Sequence, residues 1–328
     1  MVNNTIFEDI SIKIDLGPVS QVERAFGGYM HKMYCLMTSK GKYAVKLLNP
    51  EIMKRPDVFK NYQIAERLER TLEEKGLPVV SAMEFGGKKM QCLNNQYYYV
   101  FEWLDGKALG SREITKEHCE QAGALLAMIH KIEHKEEPFV KDELCIDWDL
   151  YINLAYEKCP EIVSLLKDNK ELLYLSQNEG NLAFKKIPAI TSICNGDMDS
   201  KNVLWVNGKP NIIDLECLNY GNPYLELFQL ALCWSGYEHC LINYELLKTF
   251  IRAYCREHGR FEADWEVMYN SNCGRLEWLE YNIKRALMIE CENDEERKLG
   301  IEQVQETISH IIYYSSVKNE LLYQLNSL

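Results

Sequence analysis

Asn195-Gly196-Asp197-Met198-Asp199-Ser200-Lys201-Asn202, followed twelve residues later by Asp214-Leu215-Glu216, is the stretch whose reading decides the fold. Moving a phosphoryl group requires a carboxylate that orients the attacking hydroxyl, and oxygen ligands for the magnesium ions that neutralise the transferring charge. Asp197 suits the first task; Asn202 and Asp214 suit the second. An ordinary polar turn ahead of an edge hairpin would not need three such residue types at these spacings.

The residues between the two elements supply a geometric reason. Val203-Leu204-Trp205-Val206 and Asn211-Ile212-Ile213-Asp214 read as short strands around Asn207-Gly208-Lys209-Pro210, and Asn-Gly is the strongest short-range hairpin signal. Folding about Gly208 sets Asn202 opposite Asp214 to within about one residue, because loop length fixes register. Two candidate metal ligands then converge.

At these residues the chain resembles the aminoglycoside phosphotransferase and choline kinase group, small-molecule kinases related to protein kinases. The group's pattern is approximately His-Gly-Asp-x-His-x-x-Asn followed by Ile-Asp-Trp/Phe-Glu; Asn195 to Asn202 and Ile213-Asp214-Leu215-Glu216 stand in its place. The step from Asp197 to Asn202 is also that of the protein-kinase catalytic loop. Asn195 and Asp199 replace the two histidines. An Asn at 195 keeps amide hydrogen bonding, whereas Asp199 adds negative charge that either raises the pKa of Asp197 or meets the substrate. Glu216 is a further candidate on the substrate side.

The resemblance extends from Phe26 to about Ala231. It implies a protein-kinase-like α+β fold in two lobes: residues 1–104 a small β-rich nucleotide-binding lobe with one helix, and 105–328 a larger, mostly helical lobe with catalytic loop, metal site and substrate pocket. It also implies Mg2+ and a nucleoside triphosphate, ATP or GTP, as co-substrate. The implied acceptor is a small-molecule hydroxyl, first on an aminoglycoside or similar cationic amino-alcohol, then on choline, a sugar or another metabolite alcohol. A catalytically weak pseudokinase scaffold is the alternative that Asn195 and Asp199 suggest. Protein substrates are disfavoured because no Ala-Pro-Glu follows Asp214.

Such a lobe needs a lysine for the phosphates, and Tyr43-Ala44-Val45-Lys46-Leu47-Leu48 offers one. In a strand, Ala44 and Lys46 share a face, so a small residue that admits an adenine sits beside the ammonium. Upstream, Phe26-Gly27-Gly28-Tyr29 resembles the nucleotide-positioning loop, with Gly27 and Gly28 allowing close approach of backbone to phosphate; a plain hairpin reads equally well. The run Asp57 to Lys75 predicts a helix with Phe59, Tyr62, Ala65, Leu68 and Leu72 near one face and Gly76 as its stop. Glu66, with Glu69 as runner-up, is its candidate partner for Lys46. Tyr97 to Gly106 resembles the hinge, where Glu102 and Leu104 would offer main-chain groups to the adenine.

Composition sets the outer bounds. A chain of 328 residues with 47% hydrophobic content suits two lobes with buried cores. Twelve cysteines without a Cys-x-x-Cys pair argue against zinc and redox motifs and suit the cytoplasm. No apolar run reaches membrane-spanning length, and a net charge of -12 argues against a nucleic-acid partner. Beyond Asp105 the pattern turns helical: Ile114 to Ile132, Tyr224 to Ser235, Ile242 to His258, Trp265 to Met288 and Glu295 to Tyr323. His130 and His134 read as structural, with no third metal ligand evident. Acidic residues outnumber basic ones in the last helices, either as a solvated surface or as a pocket for a cationic acceptor built from Glu277, Trp278 and Glu280.

Overall fold

Aromatic and β-branched runs such as Tyr97 to Phe101 favour the pleated, half-buried surface of a sheet. In the computed structural model, which describes residues 5–25, 30–138, 140, 142–259, 261 and 264–328, five antiparallel strands form that sheet. They are β1 (Val19–Ala25), β2 (Lys32–Thr38), β3 (Gly41–Leu47), β4 (Gln91–Leu93) and β5 (Gln96–Glu102), in the order β1-β2-β3-β5-β4. Alternation along β3 sends Val45 to one face, where it joins Phe7 and Ile10 of helix α1 (Thr5–Lys13) in a closed core with Tyr34, Leu36, Tyr98 and Val100. Ala44 and Lys46 take the other face, opposite Phe101 and Tyr99.

Helix α2 (Val58–Glu74) covers that second face. Tyr62, Ala65, Leu68 and Leu72 recur at helical spacing and are buried; Leu68 and Leu72 each contribute roughly 2 kcal/mol by leaving water. Phe59 lies off this stripe, 43% exposed and edge-on to Tyr97. Gly76 at φ +74° ends the helix, and the Leu77 N–H returns to the Leu72 carbonyl.

Packing divides the chain into two units, Met1–Gly110 with Asn195–Asn219, and Ser111–Cys194 with Tyr220–Leu328. This grouping differs from a boundary at Asp105. The segment from Asn195 to Asn219 joins the amino-terminal unit because its strand Val203–Val206 pairs with Lys107–Ala108, and Ile212 exchanges hydrogen bonds with Pro78 and Val80.

The second unit is mostly helical. Asn222 caps the helix Pro223–Trp234, its Oδ1 accepting from the N–H groups of Tyr224 and Leu225 at 3.1 Å, and Pro223 supplies a pre-set φ at the first helical position. Helices Lys116–His130 and Tyr244–His258 approach closely at Gly123, where a Cβ would lie 2.4 Å from the Phe250 carbonyl oxygen. Two expected helices are each divided. Trp265–Ser271 and Gly274–Ala286 are separated at Asn272 and Cys273, and Asp294–Ser316 gives way at Val317 to Lys318–Leu325. Helices Trp148–Lys158 and Val163–Phe184 share a core of that unit with Leu276, Leu279 and Ile283. No helix among the described residues is long and apolar enough to cross a membrane.

Candidate active site

The hairpin turns on Asn207 and Gly208, both with positive φ, and pairs Val206 with Lys209 and Val203 with Ile212. Its second strand, Lys209–Ile212, begins two residues before the expected Asn211 and includes Pro210. Proline is tolerated because its nitrogen faces away from the ladder, on the outer strand of the three. The Ile213 N–H donates to the Asn202 carbonyl at 2.9 Å. Asn202 therefore stands one residue from Asp214 across the hairpin. Asp214 adopts the left-handed conformation (φ +60°, ψ +57°), which Asp tolerates better than most residues, and leads into the turn Leu215–Cys217.

On the preceding loop, the Asn195 Oδ1 accepts from the Asp197 N–H at 3.1 Å. The Asn202 Nδ2 donates at 2.8 Å to both the Asp197 carbonyl and its Oδ2. Gly196 holds φ +81°, and a Cβ there would lie 2.8 Å from the Cys217 carbonyl oxygen, so the loop and the turn after Asp214 meet main chain to main chain. Asp199 caps the turn Ser200–Asn202 and pairs with the Lys201 Nζ at 2.8 Å; the same ammonium is 3.7 Å from Asp197. Enclosure pushes the Asp197 carboxyl up to about 7; Lys201 and the Asn202 hydrogen bond oppose this, while Asp199 and Asp214 reinforce it. Sequence reasoning overlooked Lys201, although it lies inside the quoted stretch four residues after Asp197.

Lys46, 5% exposed, is held by two acidic side chains from the far side of the hairpin. Its Nζ lies 2.5 Å from Asp214 Oδ1 and also bonds Glu216 Oε2. Burial works against the ammonium, but Glu216 and Asp214 keep its pKa above the ordinary value. The Glu216 carboxyl, which burial alone would raise, is brought down to about 2 by Lys46 and His31. His31 Nε2 is 3.4 Å from Glu216 Oε1 and 3.1 Å from the Tyr62 hydroxyl, and its Nδ1 accepts from the Asn49 N–H at 3.0 Å.

The helix glutamates are placed differently from the expected lysine pairing. Glu66 accepts from the Tyr99 hydroxyl at 2.9 Å and the Met90 N–H at 3.1 Å. Glu69 is buried and accepts from the Ala82 N–H at 2.6 Å and the Lys89 Nζ at 2.8 Å. Both still line a cavity with Lys46, Tyr62, Phe101, Asp214 and Glu216. Their reach is spent on closer donors. Glu102 ends β5 opposite Tyr43, and the Trp103 N–H bonds the Lys42 carbonyl next to it, so the Glu102 main-chain groups point away from β3. The Leu104 carbonyl accepts from the Gly106 N–H. Gly27 and Gly28 lie outside the described residues.

The donor set suits a hard divalent cation. Asp214 offers a carboxylate, and Asn202, whose amide nitrogen donates to Asp197, has its Oδ1 as a further oxygen that could hold such an ion. Of the carboxyl-terminal candidates, Glu280 accepts from the Tyr151 hydroxyl at 2.6 Å and pairs with Lys284 at 3.0 Å, Trp278 bonds Gln303 and packs on Tyr281, and Glu277 is exposed. A cleft of that unit is lined by Tyr237, Tyr269, Tyr314, Arg275 and Lys318 and includes none of the three. The fully buried His130 does gain companions, its ligand atom lying within 4.8 Å of those of Cys194 and Glu226. Its Nε2 is 2.7 Å from Glu226 and its Nδ1 2.8 Å from the Tyr254 hydroxyl, and burial pushes the Cys194 thiol well above its ordinary value. Those are the marks of a hydrogen-bonded core rather than an ion site. His134 turns to Ser192.

A family model described as the phosphotransferase enzyme family matches residues 22–269. Among solved structures, a spectinomycin phosphotransferase in complex with ADP and spectinomycin is 14% identical with a TM-score of 0.69, over 95% of this chain and 98% of that one. A choline kinase from Streptococcus pneumoniae is 18% identical with a TM-score of 0.64, over 94% and 99%. An aminoglycoside phosphotransferase from Alicyclobacillus acidocaldarius is 15% identical with a TM-score of 0.53, over 95% and 96%. At these identities the likeness speaks for the protein-kinase-like α+β fold. No curated protein matches the chain in sequence.

Proposed function

The chain belongs to the phosphotransferase enzyme family, and from that premise we propose that it transfers the γ-phosphoryl group of ATP or GTP to a hydroxyl of a small molecule. The observation that carries this reading is the meeting of Lys46, Asp197, Asn202 and Asp214 around one hairpin. Asp197, with its carboxyl pushed toward neutral pH and oriented by Asn202, accepts the proton of the attacking hydroxyl. Lys46 grips the phosphates, and the main chain near Glu102 and Leu104 takes the adenine or guanine edge. Asn202 and Asp214 would hold Mg2+, which neutralises charge on the transferring group. Lys201 stands beside Asp197 to offset negative charge that accumulates there.

For the acceptor we favour a cationic amino-alcohol or aminoglycoside. From Phe261 to Leu328 there are 13 Asp and Glu against 6 Lys and Arg, a difference of -7, and such a field draws cations. A coupled nucleotide-hydrolysis screen over aminoglycosides, choline, ethanolamine, sugars and other metabolite alcohols tests it. Acceptor-dependent turnover with at least one cationic alcohol is expected. Turnover with neutral alcohols alone would remove the cationic reading, and none with any alcohol under metal-nucleotide binding would favour the pseudokinase scaffold.

A further inference from the structure

Resting on that reading of the metal site, we propose that Lys46 is the site's own counter-ion: in the nucleotide-free protein its ammonium occupies the carboxylates that a divalent cation must use, with Glu216 as the residue that positions it there. A buried ammonium needs acidic partners, and one left without them is strongly unfavourable. Both helix glutamates near Lys46 are committed elsewhere, Glu66 to Tyr99 and Met90, Glu69 to Ala82 and Lys89. Among the described residues, the acidic partners of Lys46 are Asp214, at 2.5 Å, and Glu216. Glu216 is braced from behind by His31, whose Nδ1 accepts from the Asn49 N–H, so that Nε2 carries the hydrogen facing Glu216 and Tyr62.

A divalent cation arriving alone must displace Lys46 and leave its charge stranded. A nucleoside triphosphate gives the ammonium new anionic partners. Metal and nucleotide therefore favour each other's binding through Lys46, beyond their direct bonds, and the coupling is reciprocal.

The test titrates Mn2+, a paramagnetic stand-in for Mg2+, onto the metal-free protein without nucleotide and follows free Mn2+ by electron paramagnetic resonance. Lys46→Met should bind Mn2+ about tenfold more tightly than wild type, while Glu66→Gln leaves wild-type affinity unchanged. Unchanged or weaker Mn2+ binding by a folded Lys46→Met variant overturns the inference, as does a Glu66→Gln variant that reproduces the tightening. Lysine acylation read by mass spectrometry asks the same of the wild-type protein, without any variant. Millimolar Mn2+ alone should raise labelling of Lys46 several-fold, and labelling that ignores the metal overturns the proposal. If wild type binds Mn2+ only with a non-hydrolysable nucleotide and Lys46→Met gains nothing, this inference fails and the phosphotransferase reading stands. If no Mn2+ binds under either condition, both fail.

Discussion

A buried histidine faces a glutamate in each of the two units of this molecule. His31 faces Glu216 at 3.4 Å, and that glutamate also bonds Lys46, which in turn reaches Asp214. His130 faces Glu226 at 2.7 Å and meets the Tyr254 hydroxyl at 2.8 Å. Glu216 of the first pair lines a cavity together with Lys46, Asp214, Glu66 and Glu69. The second is packed within the core, where the Cys194 thiol also meets Glu226. The same two residue types neighbour a buried ammonium in one setting and a tyrosine hydroxyl and a thiol in the other.

The strongest challenge to this division is Asp197→Asn. It should lower kcat by about a hundredfold or more, the usual scale for a positioned base, while a fluorescent nucleotide analogue binds as before. Turnover within a few-fold of wild type would remove Asp197 from the chemistry. Asp214→Ala should next abolish metal-dependent nucleotide binding, with Asn202→Ala milder, because a carboxylate contributes more to a hard cation than an amide oxygen. Calorimetry finding unchanged MgATP and MgGTP affinities in the Asp214 variant, where wild type binds one of them, would refute the metal role.

On the other side, Glu226→Ala should cost about 3 kcal/mol by leaving His130 buried without its partner. That corresponds to a fall in Tm of roughly 10 °C, with nucleotide affinity unaltered at a temperature where the variant is folded. A variant that melts normally but binds nucleotide poorly would place this pair on the functional side.

A smaller effect is expected from His258, stacked on Tyr254 in the same cluster. Burial, then His130, His134 and Lys131, lower its pKa from 6.5 to about 4. Between those values the unfolded chain binds the proton and the folded one does not, so stability falls as pH drops through that window, by on the order of 2 kcal/mol. His258→Phe keeps the stacking and should flatten this slope in urea titrations at pH 6.5 and 4.5; an unchanged slope would mean the proton goes elsewhere.

The smallest effect returns to Asp197. Its folded pKa of about 7 lies above the ordinary 3.8, so the folded state holds a proton that the unfolded state has released, and stability declines as pH rises from about 4 to 7. In EDTA, Asp197→Asn should raise Tm by about 2 °C at pH 8 and leave it unchanged below pH 4, a modest gain because about a third of the side chain meets solvent. A lower Tm at pH 8 would show that the carboxylate supports the loop rather than straining it.

What could be read from the sequence followed how local each feature is. The hairpin register follows from Asn207 and Gly208 alone, and the strand faces of Ala44 and Lys46 follow from alternation. Lys46 illustrates the opposite case. Chain order suggested Glu66, but the lysine bonds Glu216, 170 residues away, because Tyr99 and Met90 had already engaged the nearer glutamate. Likewise no spacing rule joins His130 to Cys194 and Glu226, which meet only when three separate elements pack. The apolar period from Trp265 to Met288 runs on through Asn272 and Cys273, so the break there leaves no mark in periodicity. Pro210 argued for a turn, and only the outer position of its strand made it acceptable there.

Gly196 gives the site a property that side chains could not. Rotamers change with temperature, solvent and neighbouring substitutions, but the Gly196 main chain rests on the Cys217 carbonyl with no room for even a methyl group between. The interval between the loop of Asp197 and the turn after Asp214 is thus gauged by atoms with no rotamer to vary. Chemistry that is sensitive to fractions of an ångström is set against a reference that does not drift.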